Sequence, residues 1–339
     1  MNQLNRRQLV AMLGAATAGG LVMPPAFATR KKIKVGALRF TSHAASFIAV
    51  EKGYFEKAGL DVELKFFQAA QPMAVAIASG DIDYAVTAIS GGLVSLAQKG
   101  AIKVIGGALS EEKGIDGQAI LVSNAAWDAG VRSPRMLNGK SYGVTQAGSS
   151  FHYVGANVAK REGIALTFKP LQKVGAVIGA LKSGQIDAWN IVPHIAKPLI
   201  KSGAVKSIGA VADYLPNYQI TTVFTSAKNA ANERGMTQSF LQGFSQGVDD
   251  YARVMIDRAD GDAGVQAMVD LIHKYVYADQ PREKAAPSII NGTMRLNAGA
   301  ALNLASVKDQ LDWFKSEGLV DASVSMEMLV DPSYVKAIG

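Results

Sequence analysis

An internal repeat constrains this chain more than any other feature. Ser79-Gly80-Asp81-Ile82-Asp83 recurs as Ser183-Gly184-Gln185-Ile186-Asp187, and Gly59-Leu60-Asp61-Val62-Glu63-Leu64 aligns with Gly163-Ile164-Ala165-Leu166-Thr167-Phe168. Both pairs share one offset, 104 residues. Upstream, Val35-Gly36-Ala37 resembles Tyr142-Gly143-Val144 at an offset of 107, so about three residues are inserted in the second copy. Each copy reads as strand, helix, strand, helix, strand. In the first, strands at 33–38, 60–67 and 82–89 alternate with a helix capped by Thr41 or Ser42 and a helix that Pro72 opens and Ser79-Gly80 stops. The second has strands at 141–145, 166–170 and 186–191, with helices from Ser149 or Ser150 to about Arg161 and over 174–182. Alternating strands and helices imply parallel sheets and the α/β class.

Two further extended runs, Gln118–Ser123 and Ile220–Thr225, flank the second copy. Read as crossing strands, they insert one lobe into the other. Residues 29–122 and 222–339 then form lobe 1, and residues 123–221 form lobe 2. The rest is helical: 238–257, with apolar residues at helical spacing from Phe240 to Met255, then 265–275 and 301–317. These helices return to lobe 1 as outer packing.

The first 28 residues stand apart. Arg6-Arg7 precedes an apolar run, Leu9–Met23, too short and Gly-rich for a membrane span, and Ala26-Phe27-Ala28 has the form of a cleavage site. Asn5-Arg6-Arg7-Gln8-Leu9-Val10 resembles a twin-arginine export signal; a Sec signal with adjacent arginines is the alternative. Removing this segment lowers the formal charge of +7 by two. The remaining basic residues are spread along the chain, without the stripe a nucleic-acid binder carries. The chain has no cysteine, which rules out disulfides, thiol nucleophiles, Cys-zinc sites and a lipidated N-terminal cysteine. Free export without a lipid anchor points to a periplasm. No G-x-S-x-G, H-x-x-x-H or Walker motif occurs, and no cofactor or metal is expected.

Ala49-Val50-Glu51-Lys52-Gly53-Tyr54-Phe55-Glu56-Lys57-Ala58-Gly59-Leu60-Asp61-Val62, Ala78–Asp83, Leu137-Asn138-Gly139-Lys140-Ser141-Tyr142-Gly143-Val144 and Ala180–Trp189 together carry a family resemblance. Residues 33–225 resemble the periplasmic substrate-binding proteins of nitrate, alkanesulfonate and taurine ABC importers, a family that includes binders of thiamine-pyrimidine precursors and riboflavin. The C-terminal helices match only loosely. The resemblance implies a two-lobed periplasmic-binding-protein fold of type II. It also implies capture of a small molecule by hinge closure, delivery to a permease driven by an ATPase, and a monomer. An enzyme of the pyrimidine-synthase branch is the alternative, against which the export signal and the absence of cysteine count.

Ligands of open α/β sheets bind beyond the carboxyl ends of strands, at helix N-termini. That places Arg39, Phe40, Thr41, Ser42 and His43 of lobe 1 opposite Gln146, Ser149 and Ser150 of lobe 2. Ser90 and Gly91 follow the next strand of lobe 1, and Trp189 and Asn190 hold the matching place in lobe 2. Tyr218 flanks the return crossing. Arg39 is suited to a carboxylate or sulfonate, so a small organic anion is expected, with a neutral heterocycle as the other option. The serines also serve as plain N-caps, Trp189 as core packing, and Asp83 and Asp187 as structural turn acids.

Overall fold

Two five-stranded sheets carry the chain, and both are laid out to one plan. In chain order the strands are β1 (Lys31–Leu38), β2 (Leu60–Phe67), β3 (Tyr84–Ala88), β4 (Ile102–Gly107), β5 (Ala119–Ser123), β6 (Ser141–Val144), β7 (Thr167–Pro170), β8 (Ala188–Ile191), β9 (Val205–Ala210) and β10 (Thr221–Ser226). The first sheet runs β2-β1-β3-β10-β4 and the second β7-β6-β8-β5-β9. In each, three strands are mutually parallel. A fourth, contributed from the far side of a crossing, lies antiparallel to both its neighbours. The computed structural model describes residues 30–339, and Lys31–Gly339 form a single unit. The export-signal reading falls on residues 1–28, outside the described residues.

The repeat has a physical basis at three positions. Asp83 Oδ2 accepts the Lys34 N–H at 2.7 Å, and Asp187 Oδ2 accepts the Ser141 N–H at 2.8 Å. Each turn acid thus ties the start of a third strand to the start of the first. For the same reason the 82–89 strand begins only at Tyr84. Gly36 and Gly143 sit where the following helix presses on the sheet. A Cβ on Gly36 would lie 2.7 Å from Ile82 Cδ1 and 2.8 Å from Met73 Cγ; one on Gly143 would lie 2.4 Å from Ile186 Cδ1 and 2.8 Å from Val177 Cγ1. Gly80 and Gly184 end the equivalent helices Ala70–Ser79 and Val174–Ser183 at φ of 80° and 76°, the left-handed region open to glycine.

The outer strands β4 and β9 complete the parallel between the sheets, although nothing in the sequence reading marked them. The C-terminal helices read at 238–257, 265–275 and 301–317 form at Arg234–Tyr251, Gly261–His273 and Leu304–Ser316. The first continues into a wider π-type turn over Ala252–Ile256. The helix Arg234–Tyr251 buries its apolar face on lobe 1: Phe240 stacks between Tyr84 (4.2 Å between ring centroids) and Phe55 (5.3 Å). Among the described residues no helix is long and apolar enough to cross a membrane.

Candidate ligand-binding cleft

The carboxyl ends of the strands in the two sheets face each other across a cleft, and the connections 108–118 and 211–220 run between the sheets. Inside lies a small, partly open cavity of about 60 Å³. Leu38, Phe40, Leu109, Phe151, Ile191 and Ile220 give it apolar walls from both lobes. Its polar groups are Ser42, His43, Thr87, Gln118, Thr145, Ser149, Ser150 and Thr221, and no charged side chain lines it.

Each polar group is set by its own element. Ser149 caps the helix Ser150–Glu162, its Oγ accepting the His152 N–H at 3.4 Å. This helix start presents unpaired backbone N–H groups and a positive partial charge beside the Ser150 hydroxyl. His43 Nδ1 accepts the Leu38 N–H at 3.3 Å, which puts the ring proton on Nε2. Burial pushes the His43 pKa down to about 3, so the ring is neutral. Gln118 Oε1 accepts from Asn190 Nδ2 at 2.7 Å.

Of the residues singled out from sequence, Phe40, Ser42, His43, Ser149 and Ser150 line the cavity. Arg39 does not. Its guanidinium stacks 3.8 Å over the Phe66 ring and donates to the Tyr275 carbonyl at 3.1 Å, in an adjoining interlobe groove of about 630 Å³. Phe40 lines both spaces and separates them.

Four others form the seam between the lobes. The Gly91 N–H donates to the Gly148 carbonyl at 3.0 Å, and Gln146 Nε2 donates to Gln71 Oε1 at 3.3 Å. Ser90 Oγ caps its helix by accepting the Leu93 N–H and donates to the same Gln71 oxygen at 3.0 Å. Gly148 has φ of 71°, and a Cβ there would stand 3.4 Å from the Gly91 nitrogen. Thr41 donates to the Gly292 carbonyl at 3.1 Å, and its Oγ1 lies 3.0 Å from His194 Nδ1, which then supplies the proton to Thr41. The facing pairs are thus 90–91 with 146–148, and 41 with 194.

Trp189, Asn190 and Tyr218 are buried behind the cavity wall. Trp189 packs under Phe151 at 5.2 Å, Asn190 holds Gln118, and Tyr218 lies 5.1 Å from Tyr153. Sequence reasoning passed over Thr87, Gln118, Thr145 and Thr221. Their signal was positional: Thr87 and Thr145 stand at strand carboxyl ends, and Gln118 and Thr221 mark the two crossings. Among the described residues no cluster of His, Asp and Glu is placed to hold a metal.

Residues 40–253, more than half of the chain, match the model of the NMT1/THI5-like family. No curated protein sequence matches the chain. Solved structures share the fold, three of them as follows. One is a ligand-binding component of an ABC-type import system from Staphylococcus aureus, crystallised with zinc: 18% identity, TM-score 0.69, covering 90% of this chain and 97% of that one. The second is the alkanesulfonate-binding protein SsuA from Xanthomonas axonopodis pv. citri bound to MOPS: 17% identity, TM-score 0.69, covering 89% and 98%. The third is the periplasmic nitrate-binding protein NrtA from Synechocystis PCC 6803: 13% identity, TM-score 0.69, covering 90% and 87%. At these identities the likeness is one of fold. With its paired sheets, crossing strands and interlobe cavity, the chain belongs to the NMT1/THI5-like family and is built on the periplasmic-binding-protein fold.

Proposed function

We propose that this protein is the solute-capturing component of an ABC importer, exported to the periplasm without a lipid anchor, and that it closes on a small organic anion with an apolar body. Export rests on the signal pattern of residues 1–28, with the twin-arginine route favoured by Arg6-Arg7. The importer role rests on the family match and on what the fold neighbours bind. The protein releases its ligand unchanged to a permease and its ATPase, and works as a monomer.

One observation carries the ligand class: a small, largely apolar interlobe cavity with the capped start of the helix Ser150–Glu162 in its wall. A carboxylate or sulfonate placed there meets backbone N–H groups and the Ser149 and Ser150 hydroxyls, and needs no counter-charge. Its apolar body lies against Phe40, Phe151 and Ile191. The cavity is smaller than the ~150 Å³ that accommodates benzene in an engineered core, so the lobes stand further apart around a bound ligand than in this structure. Arg39, outside the cavity, draws the anion in. The uncharged lining favours one other reading, a neutral heterocycle.

A thermal-shift screen of carboxylates and sulfonates against neutral and cationic compounds decides between them. An anion at 100 times its Kd adds about 2.7 kcal/mol of stability. Stabilisation by neutral or cationic compounds alone contradicts the anion reading, and turnover of the bound compound contradicts the transport role.

A further inference from the structure

Two spaces share the interlobe cleft, and one side chain divides them. Leu38, Phe40 and Val174 line both the cavity of about 60 Å³ and the groove of about 630 Å³ beside it. The cavity alone is too small for a benzene ring, whereas the groove falls in the ~300–1,000 Å³ range of small-molecule sites. The divider is the half-buried ring of Phe40. It meets His43 and His194 edge-on, at 6.2 and 5.0 Å between ring centroids. A partition made of one side chain gives way by a change of rotamer, without backbone movement.

The groove is built from both lobes. Phe66 and Phe67 line it from the end of β2, and Ile178, Ile195 and Leu199 line it from lobe 2. All five are only half-buried, and apolar side chains gathered in the open mark a binding surface. Tyr277 lines the same groove with a φ of 59°, in the left-handed region that disfavours an aromatic residue. Two bonds hold it there. His273 Nε2 donates to the Tyr277 carbonyl at 3.1 Å, and the Tyr277 hydroxyl donates to the His194 carbonyl of lobe 2 at 2.8 Å. Strain maintained at one residue to keep a ring in a groove points to a use for that ring. Among the described residues no acid lines the groove, and Arg39, stacked on Phe66, sets a positive charge in its wall. Such a groove turns away cations and admits the aromatic body of an anion.

We propose that the groove is the outer half of the ligand site and that the solute is a two-ring aryl monoanion. Its charged head and first ring occupy the cavity; its second ring lies past Phe40, against Phe67, Ile178 and Tyr277. This rests on the anion reading above.

The test is calorimetric titration of the full protein with benzoate, 3- and 4-phenylbenzoate, benzenesulfonate, biphenyl-4-sulfonate and 4-phenylbenzylammonium. The wild type binds at least one two-ring anion about thirtyfold more tightly than its one-ring parent, the worth of burying one more phenyl ring. Gly175 lines the groove, and a Cβ there would meet nothing within 4 Å, so Gly175→Trp fills the groove without disturbing the fold. Ile178→Asp sets a carboxylate in the same wall. Each variant brings the two-ring and one-ring anions to within about threefold, while the one-ring anion still binds. Two-ring anions that bind no better than their parents overturn the role of the groove and leave the anion reading intact. So does a gain that survives in both variants, since the second ring then lies elsewhere. Should one variant fail to fold, the other decides together with the wild-type comparison. Equal binding of 4-phenylbenzylammonium, or binding of none of the six compounds, overturns the anion reading and this inference with it.

Discussion

Glu111 shows how much a single buried side chain can matter here. It is 1% exposed in the connection leading out of β4, and burial pushes its pKa up to about 7, tempered by the N–H bond from Gln118. A carboxyl that holds its proton more tightly in the folded state favours folding at low pH, and the advantage is lost as pH rises from about 4.5 towards 7. His43 and His194 act in the opposite sense. Burial holds both near 3, so folding forces them neutral, and stability falls as pH drops below 6.5. Comparing wild type with Glu111→Gln cancels the histidines. The variant gains on the wild type by on the order of 3 kcal/mol between pH 4.5 and 7.5 in urea unfolding; a difference that does not change with pH refutes the assignment. At this scale the sequence was partly legible. Ser42, Ser149 and Ser150 were found because a hydroxyl at a helix start after a strand has few other uses. Gln118 was not, because its place in the cavity wall is held by Asn190, 72 residues away. Arg39 has the chemistry of an anion anchor, but Phe66 and Tyr275 fix where it points.

Elements repeat because the close contacts repeat, and those contacts set the tolerance for change. A close backbone contact joins the lobe 1 helix Ala44–Glu51 to the helix Arg234–Tyr251: a Cβ on Gly247 would lie 2.2 Å from the Ala45 carbonyl oxygen. Backbone cannot swing aside as a side-chain tip can. Gly247→Ala therefore costs about 1–3 kcal/mol in denaturant unfolding, through displacement of the whole helix. Gly175→Ala, with nothing within 4 Å of its Cβ in the helix Val174–Ser183, is neutral to stabilising. Equal effects at the two positions would refute the packing account. The strands of both copies, β2 and β7 at one edge of each sheet included, were legible because they are short apolar runs bounded by glycine turns. The strands β4 and β9 at the opposite edges were not: Lys103, Gly106 and Gly107 break one run, and Lys206, Ser207 and Gly209 the other. An edge strand paired on one side tolerates such residues, so its pattern is weak.

At the scale of the molecule, the seam is a small set of polar contacts between two otherwise independent sheets. Thr41 meets His194, Gln71 receives Gln146, and Gly91 donates to Gly148. None of these residues lines the cavity. Gln71→Ala removes one seam contact without touching the cavity wall, and it weakens ligand affinity several-fold by lowering the closed population. Unchanged affinity in titration calorimetry would show that the seam does not govern closure. Arg39→Ala acts at the other end of the process: it slows association at low salt and leaves dissociation nearly unchanged in stopped-flow traces. A faster dissociation would instead place Arg39 in contact with the bound ligand. The crossing strands made the two-lobed plan readable from sequence, since two extended runs flanking one copy of a repeat leave little else to propose. The polar seam was not readable, because it joins loops 57 to 153 residues apart in the chain. The central claim is closure on a small anion, and X-ray scattering across a titration with the tightest anion from the screen tests it most directly. The account predicts a radius of gyration that falls as one ligand binds per chain. Saturation with no change in the scattering curve would contradict it.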